Sequence, residues 1–179
     1  MKKAIYKFIF CTLAGWRVIG APKEGLKKYI IVVAPHTSNW DFFLGVFTRG
    51  VVGFKSRYLA KKQLFLPPLG WLFRLLGGYP VDRSKSSNMV EAVAEIFNQH
   101  SEFVIAITPE GTRKQVTKWK SGFYHIATLA KIPLVFAGLD YATKSVIFRD
   151  EPYWPSGDYQ KDLPEIQGWF ADKKGLNEA

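Results

Sequence analysis

The chain has 179 residues, 47% hydrophobic and 22% charged, which suits one globular domain with a substantial core and argues against a second domain. A formal net charge of +10 calls for an anionic partner: nucleic acid, an anionic membrane surface or a phosphorylated substrate. The single cysteine, Cys11, excludes an intramolecular disulfide and a cysteine-based zinc cluster, and suits a reducing compartment.

The excess charge is concentrated early. Before His36 there are Lys2, Lys3, Lys7, Arg17, Lys23, Lys27 and Lys28 against Glu24 alone. Phe8 to Gly15 is apolar, but Trp16-Arg17 follows it rather than a small-x-small cleavage site. It is also shorter than the roughly 20 apolar residues a spanning helix needs. At 100° per residue Lys3, Lys7, Ala14 and Arg17 share a narrow arc, while Ile5, Phe8, Ile9, Leu13, Trp16 and Val18 cover the rest. That pattern suits a helix lying in a membrane interface, and equally a terminal helix packed on its own domain.

Tyr29 to Ala34 is a β-branched run apolar on both faces, predicting a central strand covered on both sides. The polar cluster from His36 to Asp41 follows and opens a helix through Phe42-Phe43-Leu44. Arg57 to Ala60 reads as a short strand. Residues 64–78 are apolar but interrupted by Pro67, Pro68 and Gly70, as a groove lining or a core filler would be. Gly77 to Arg83 reads as a turn with a short extended stretch. Asn88 and Glu91 form a capping box before Met89, Val90, Val93, Ile96 and Phe97 at helical spacing.

Phe103 to Ile107 predicts a second buried strand, ended by a polar loop carrying Arg113, Lys114, Lys118 and Lys120. Phe123, Ile126, Ala127 and Ala130 predict a helix, Leu134 to Leu139 a third strand and Val146 to Phe148 a fourth. Asp162 and Glu165 suggest the cap of a short last helix over Ile166 to Phe170. Strands alternating with helices define the expected fold class: α/β, one domain, a largely parallel central sheet flanked by helices, with an N-terminal amphipathic segment.

Ligands of open α/β sheets bind at the carboxyl ends of the strands, and two apolar runs end in polar clusters, at His36 and at Thr108. With His36 in a loop and Asp41 in the first helical turn, the carboxylate can fold back on the imidazole; in one regular helix the two would stand about 140° apart. A carboxylate on one ring nitrogen fixes the tautomer and frees the other nitrogen to accept a proton. No G-x-S-x-G elbow supplies a serine nucleophile, so a base here would activate a hydroxyl of the substrate. The plainer reading is a histidine that satisfies its own loop. His100 and His125 fall on separate predicted helices, so no metal is expected. Glu110-Gly111-Thr112-Arg113 places an acid, a flexible backbone point and a guanidinium after a buried strand, as a phosphate cradle or a charged turn would. Arg83 is either a phosphate ligand or a surface arginine.

His36-Thr-Ser-Asn-Trp-Asp41 resembles the H-x4-D motif of the glycerolipid acyltransferase family, the 1-acylglycerol-3-phosphate acyltransferases among them. Gly78-Tyr-Pro-Val-Asp-Arg83 is similar to that family's second motif, Pro109 to Arg113 to its third, and Ile132-Pro133-Leu134-Val135 to its fourth. Four motifs in order are far more specific than any one. The resemblance implies transfer of a fatty acyl group from a thioester, acyl-CoA or acyl-carrier protein, to the hydroxyl of a lysophosphatidate-like phospholipid. His36 would be the general base and Asp41 its orienting carboxylate. Arg83, Glu110, Gly111, Thr112 and Arg113 would hold the acceptor, with Lys120 as a further basic contact. No metal or organic cofactor is implied.

The same resemblance sets residues 1–28 as a membrane-interface segment and 29–179 as the acyltransferase domain. It implies peripheral or monotopic attachment at the cytoplasmic face of the inner or plasma membrane. A lipid-binding protein without turnover and a thioesterase-like hydrolase are the alternatives on the same residues. Nucleic acid is not an expected partner, because no reader motif accompanies the charge.

Overall fold

The computed structural model describes residues 2–81 and 89–177. Asp82, Arg83 and Asn88, and with them the expected phosphate arginine and the first half of the capping box, lie outside the described residues. The elements in chain order are α1 (Lys2–Lys7), a π-helical turn (Phe8–Leu13), β1 (Arg17–Ile19), β2 (Lys28–Ala34), α2 (Trp40–Val52), β3 (Arg57–Lys61), a 3-10 turn (Lys62–Phe65), α3 (Gly70–Leu75), β4 (Gly78–Val81), α4 (Met89–Gln99), β5 (Phe103–Ile107), α5 (Gly122–Ala130), β6 (Leu134–Asp140), β7 (Ser145–Phe148) and α6 (Tyr159–Phe170). The strands form one seven-stranded sheet in the order β1-β7-β6-β2-β5-β3-β4. Among the described strands, the β6–β7 pair alone is antiparallel. The α/β architecture with a largely parallel sheet is as the sequence pattern predicts.

β2 is central because it is apolar on both faces. Ile30 and Val32 enter a core with Phe97, Tyr124, Phe136 and Ile166, under α4, α5 and α6. Tyr29 and Ile31, one residue out of phase, enter a second core with Phe10, Trp16 and Leu44, under the N-terminal turn and α2. Alternating residues of one strand thus serve opposite faces. β2 pairs in parallel with β5 on one side and β6 on the other, so three carboxyl ends meet at one edge of the sheet.

The N-terminal segment differs from a single helix. Helical structure stops at Leu13, and Arg17 to Ile19 form an edge strand parallel to β7. Trp16 is buried, because its ring packs edge-on against Tyr141 and parallel to Phe10. α1 runs along α2, where a Cβ at Gly50 would overlap the Tyr6 ring; glycine is what permits that approach. No helix among the described residues is long and apolar enough to cross a membrane.

The last helix also differs. It begins at Tyr159 rather than near Ile166, and its cap is Asp158, whose side chain accepts from the N–H groups of Gln160 and Lys161. Asp162, expected at the cap, is instead buried, accepting from Tyr124 Oη (2.6 Å), Ser156 N–H (2.7 Å) and Ser156 Oγ (2.8 Å). Burial pushes its carboxyl group up, yet the hydrogen bonds from Tyr124 and Ser156 outweigh burial and hold it below the ordinary value. Asp162→Ala would strand those donors in the core. The expected cost is about 2–4 kcal/mol, read as a lowered denaturant midpoint with an unchanged slope.

Candidate active site

The carboxyl ends of β2, β5 and β6 deliver the residues of the site, in keeping with the general position of ligands on open α/β sheets. β2 ends at Ala34 and hands the chain to the His36 loop; β5 ends at Ile107 before Pro109 to Arg113; β6 ends at Asp140 before Tyr141.

His36 and Asp41 meet as their spacing predicts. His36 Nδ1 lies 2.9 Å from Asp41 Oδ2, across the turn that starts α2. The same oxygen accepts from the backbone N–H groups of Thr37 (2.8 Å) and Ser38 (2.9 Å), which is what bends the loop back over the helix start. Ser38 Oγ accepts from Trp40 N–H, meeting one of the free donors at that helix end. Oδ1 of Asp41 accepts from Tyr141 Oη at 2.6 Å. The carboxylate side chain is 2% exposed and the imidazole 23%. The carboxylate is thus sealed below and the ring opens outward. With Nδ1 on Asp41, Nε2 is the nitrogen left for a substrate.

Burial pushes the Asp41 carboxyl up, but the hydrogen bonds from His36, Tyr141 and Ser38 together outweigh it and hold the group below its ordinary value. Tyr141 moves the other way: burial, then the adjacent Asp41 charge, pushes its phenol well up, so it stays a donor.

The Pro109–Arg113 cluster closes over the same loop. Glu110 Oε2 accepts from the His36 backbone N–H at 2.7 Å, and an Arg113 guanidinium N–H donates to Asn39 Oδ1. Gly111 has φ +64°, and a Cβ there would overlap the side chain of Lys120, so the lysine lies across the glycine. Thr112 Oγ1 accepts from Lys114 N–H and caps its own turn. His36, Asp41, Glu110, Gly111, Arg113 and Lys120 are therefore gathered around one loop system. Ile132 to Val135 lie at the amino end of β6, away from His36, and are buried. His100 is bonded to the Ile96 carbonyl, and the described residues hold no group of three or more His, Cys, Asp or Glu side chains placed to bind a metal ion.

Tyr141, Asn39 and the C-terminal tail were not singled out in the sequence. Asn177 Nδ2 donates to the Thr37 carbonyl (2.7 Å), and a Cβ at Gly175 would overlap the Thr37 side chain. The tail therefore buttresses the His36 loop from outside. Tyr141 directly follows β6, which ends in Asp140, but no local spacing ties it to Asp41, 100 positions away.

The family model described as Acyltransferase matches residues 17–170, and the chain belongs to that family. It is 31% identical over 129 residues to the 1-acyl-sn-glycerol-3-phosphate acyltransferase of Saccharomyces cerevisiae, covering 66% of this chain and 41% of the relative. It is 29% identical to the enzyme of that name from Limnanthes douglasii, over 94% of this chain and 63% of the relative. With the one from Pseudomonas aeruginosa the identity is 27%, over 92% and 66%. The chain thus spans between 41% and 66% of these curated relatives' own length. The crystal structure of the 1-acyl-sn-glycerophosphate (LPA) acyltransferase from Thermotoga maritima superposes with a TM-score of 0.59 at 21% identity, covering 94% of this chain and 74% of that one, and shares the fold.

Two measurements test the anchoring of Asp41. Tyr141→Phe should keep the fold and cost about 1.5–3 kcal/mol, since a bond to a charged group is lost. The Asp41 carboxyl should then titrate at higher pH, followed by carboxyl-carbon NMR; an unmoved titration would exclude the phenol as an anchor. Because the folded-state value lies below the ordinary 3.8, Asp41 contributes stability that is whole above that value and is lost as pH falls through the folded one. The stability gap between wild type and Asp41→Asn should therefore hold from neutral pH to near 3.8 and close in stronger acid.

Proposed function

We propose that the protein transfers a fatty acyl group from a thioester, acyl-CoA or acyl-carrier protein, to the free hydroxyl of lysophosphatidate, by direct attack with His36 as general base. The observation that carries this reading is the buried Asp41 holding His36 by Nδ1 at the carboxyl end of the central strand, in a chain of the Acyltransferase family.

Nε2 of His36 takes the proton of the acceptor hydroxyl as its oxygen attacks the thioester carbonyl carbon. The Asp41 carboxylate offsets the positive charge then present on the ring, and no reorganisation is needed because its other contacts are already made. The tetrahedral intermediate re-forms its carbonyl and the carbon–sulfur bond breaks. The proton held on Nε2 passes to the departing sulfur, giving ester and free thiol. On this reading Arg113, Lys120 and Arg83 would bind the acceptor's phosphate; an arginine can grip it bidentately. Glu110 holds the backbone of His36 and sets the height of the ring in the site.

Membrane attachment through the N-terminal segment belongs to the same reading, since both acceptor and product are lipids. Ile5, Phe8 and Leu13 are exposed large apolar residues on a segment that also carries Lys2, Lys3 and Lys7, the composition of an interfacial anchor.

His36→Ala should lower turnover by about 10²–10⁴-fold, with a native fold at assay temperature and an unfolding midpoint lowered by the lost bond to buried Asp41. The assay is thiol release from a long-chain acyl thioester, with and without lysophosphatidate. Release that depends on the acceptor and ends with His36 supports acyl transfer. Release at full rate without any acceptor would make the protein a thioesterase, and wild-type turnover in His36→Ala would end the general-base assignment.

A further inference from the structure

At the other end of α2 from His36, about 20 Å away along a 13-residue helix, lies a concavity of about 810 Å³. It opens between the start of α1, the end of α2, the start of β3 and the end of α3. Six cationic side chains line it: Lys2, Lys3, Arg49, Lys55, Arg57 and Arg74. No carboxylate lines it among the described residues. It sits at the amino ends of β3 and β4, whereas His36 follows a carboxyl end, so the two sites are separate.

The fold accounts for part of this charge. Arg49 donates to the carbonyls of Ser56 and Leu76, tying α2 to the end of α3. Arg74 donates to the Phe65 carbonyl and lies over that ring. Arg57 stacks over Tyr79 and Phe103. Lys3 reaches toward Gly53, the C-cap of α2, where a cation complements the helix dipole. Nothing structural occupies Lys2 and Lys55: neither has a carboxylate partner among the described residues. An unneutralised cluster of this kind repels itself, and a bound anion relieves the repulsion.

The rim distinguishes which anion. Leu75 lines the cavity and is 71% exposed, and Trp71, one turn earlier on α3, is 65% exposed. Ile5, on α1 opposite, is 58% exposed. A free phosphate has no use for apolar side chains around its cage, whereas a phospholipid presents a phosphate with hydrocarbon beside it.

We propose that this cavity binds the phosphate of an anionic phospholipid headgroup, as a docking site separate from the catalytic one. The proposal rests on the membrane-surface part of the proposed function, and specifies where the headgroup sits.

The test is co-sedimentation of the full chain with phosphatidylcholine vesicles, with and without phosphatidylglycerol. Lys2→Gln combined with Lys55→Gln should weaken binding to the anionic vesicles about twenty-five-fold, roughly fivefold per charge, and leave the unfolding midpoint unchanged. The control pair, Lys131→Asn with Lys161→Gln, removes the same charge from the other face of the sheet and should change binding less than about twofold. Equal losses in both pairs would mean that net charge alone drives binding and would overturn the proposal. So would a second outcome: inorganic phosphate raises the melting temperature of wild type but not of Lys2→Gln/Lys55→Gln, while vesicle binding of the two is equal, which would assign the cavity to a soluble phosphate. His36→Ala keeps the cavity intact and should bind vesicles as wild type does. A failure of the docking site and a failure of the acyl-transfer reading therefore appear in different variants.

Discussion

The buried carboxylate of Asp41 is the interaction on which the candidate site depends. A charge this deep is costly unless it is hydrogen-bonded on every side. Here the donors come from three places: the imidazole of His36, the Thr37 and Ser38 amides of the same loop, and the phenol of Tyr141 beyond β6. One acid therefore fixes the ring, the loop that carries it and the distance between two strand ends. Its low folded-state titration expresses the same fact: the donors are aimed at the ionised form and would be misdirected at a neutral one.

Sheet order explains why these groups can meet. β2 has β5 and β6 as neighbours on its two sides, so the loops leaving all three carboxyl ends crowd above one strand. Glu110, from the loop after β5, takes the His36 amide, and Arg113 meets Asn39 at the start of α2. Asn177, from the end of the described chain, takes hold of Thr37. The His36 loop is thus clamped by segments distant in sequence, and its position is a property of the whole sheet. That suits a base which must meet a reacting hydroxyl within hydrogen-bond reach.

Local signals were the legible ones. β2, β5 and β6 announce themselves as short apolar runs, β2 and β5 rich in β-branched residues, and the His36–Asp41 pair is readable because a loop-to-helix turn lets residues five apart meet. β1 escapes such reading, since three residues directly after a helical turn carry too little pattern, and its pairing with β7 depends on a partner 128 positions on. α6 begins at Tyr159, before the Ile166 to Phe170 stretch that Asp162 and Glu165 suggest, and it carries Pro164 inside the helix. Proline there removes one backbone donor and is tolerated with the helix anchored by buried Asp162. Tyr141 had no chance of being read: its role comes from the end of β6 lying beside the end of β2, which is a tertiary fact.

α2 joins the two ends of the proposed chemistry. Its first turn carries Asp41, and beside it Trp40 and Phe43 are exposed large apolar residues. Its last turn carries Arg49, and its C-cap Gly53 lines the basic cavity. Exposed large apolar residues occur on α1, α2 and α3 (Ile5, Trp40, Phe43, Trp71 and Leu75), and Lys2, Lys3 and Lys55 lie by the C-terminal end of α2. On the proposed docking, a surface that holds the cationic end through lipid phosphates would have Trp40 and Phe43 available to the hydrocarbon boundary at the other end of α2. A lipid acceptor would then reach His36 from the bilayer side, with its acyl tail still among apolar groups and only its glycerol and phosphate passing into the polar loops. On that proposal the cost of withdrawing a whole lipid into water, about 0.8 kcal/mol for each methylene exposed, would be avoided.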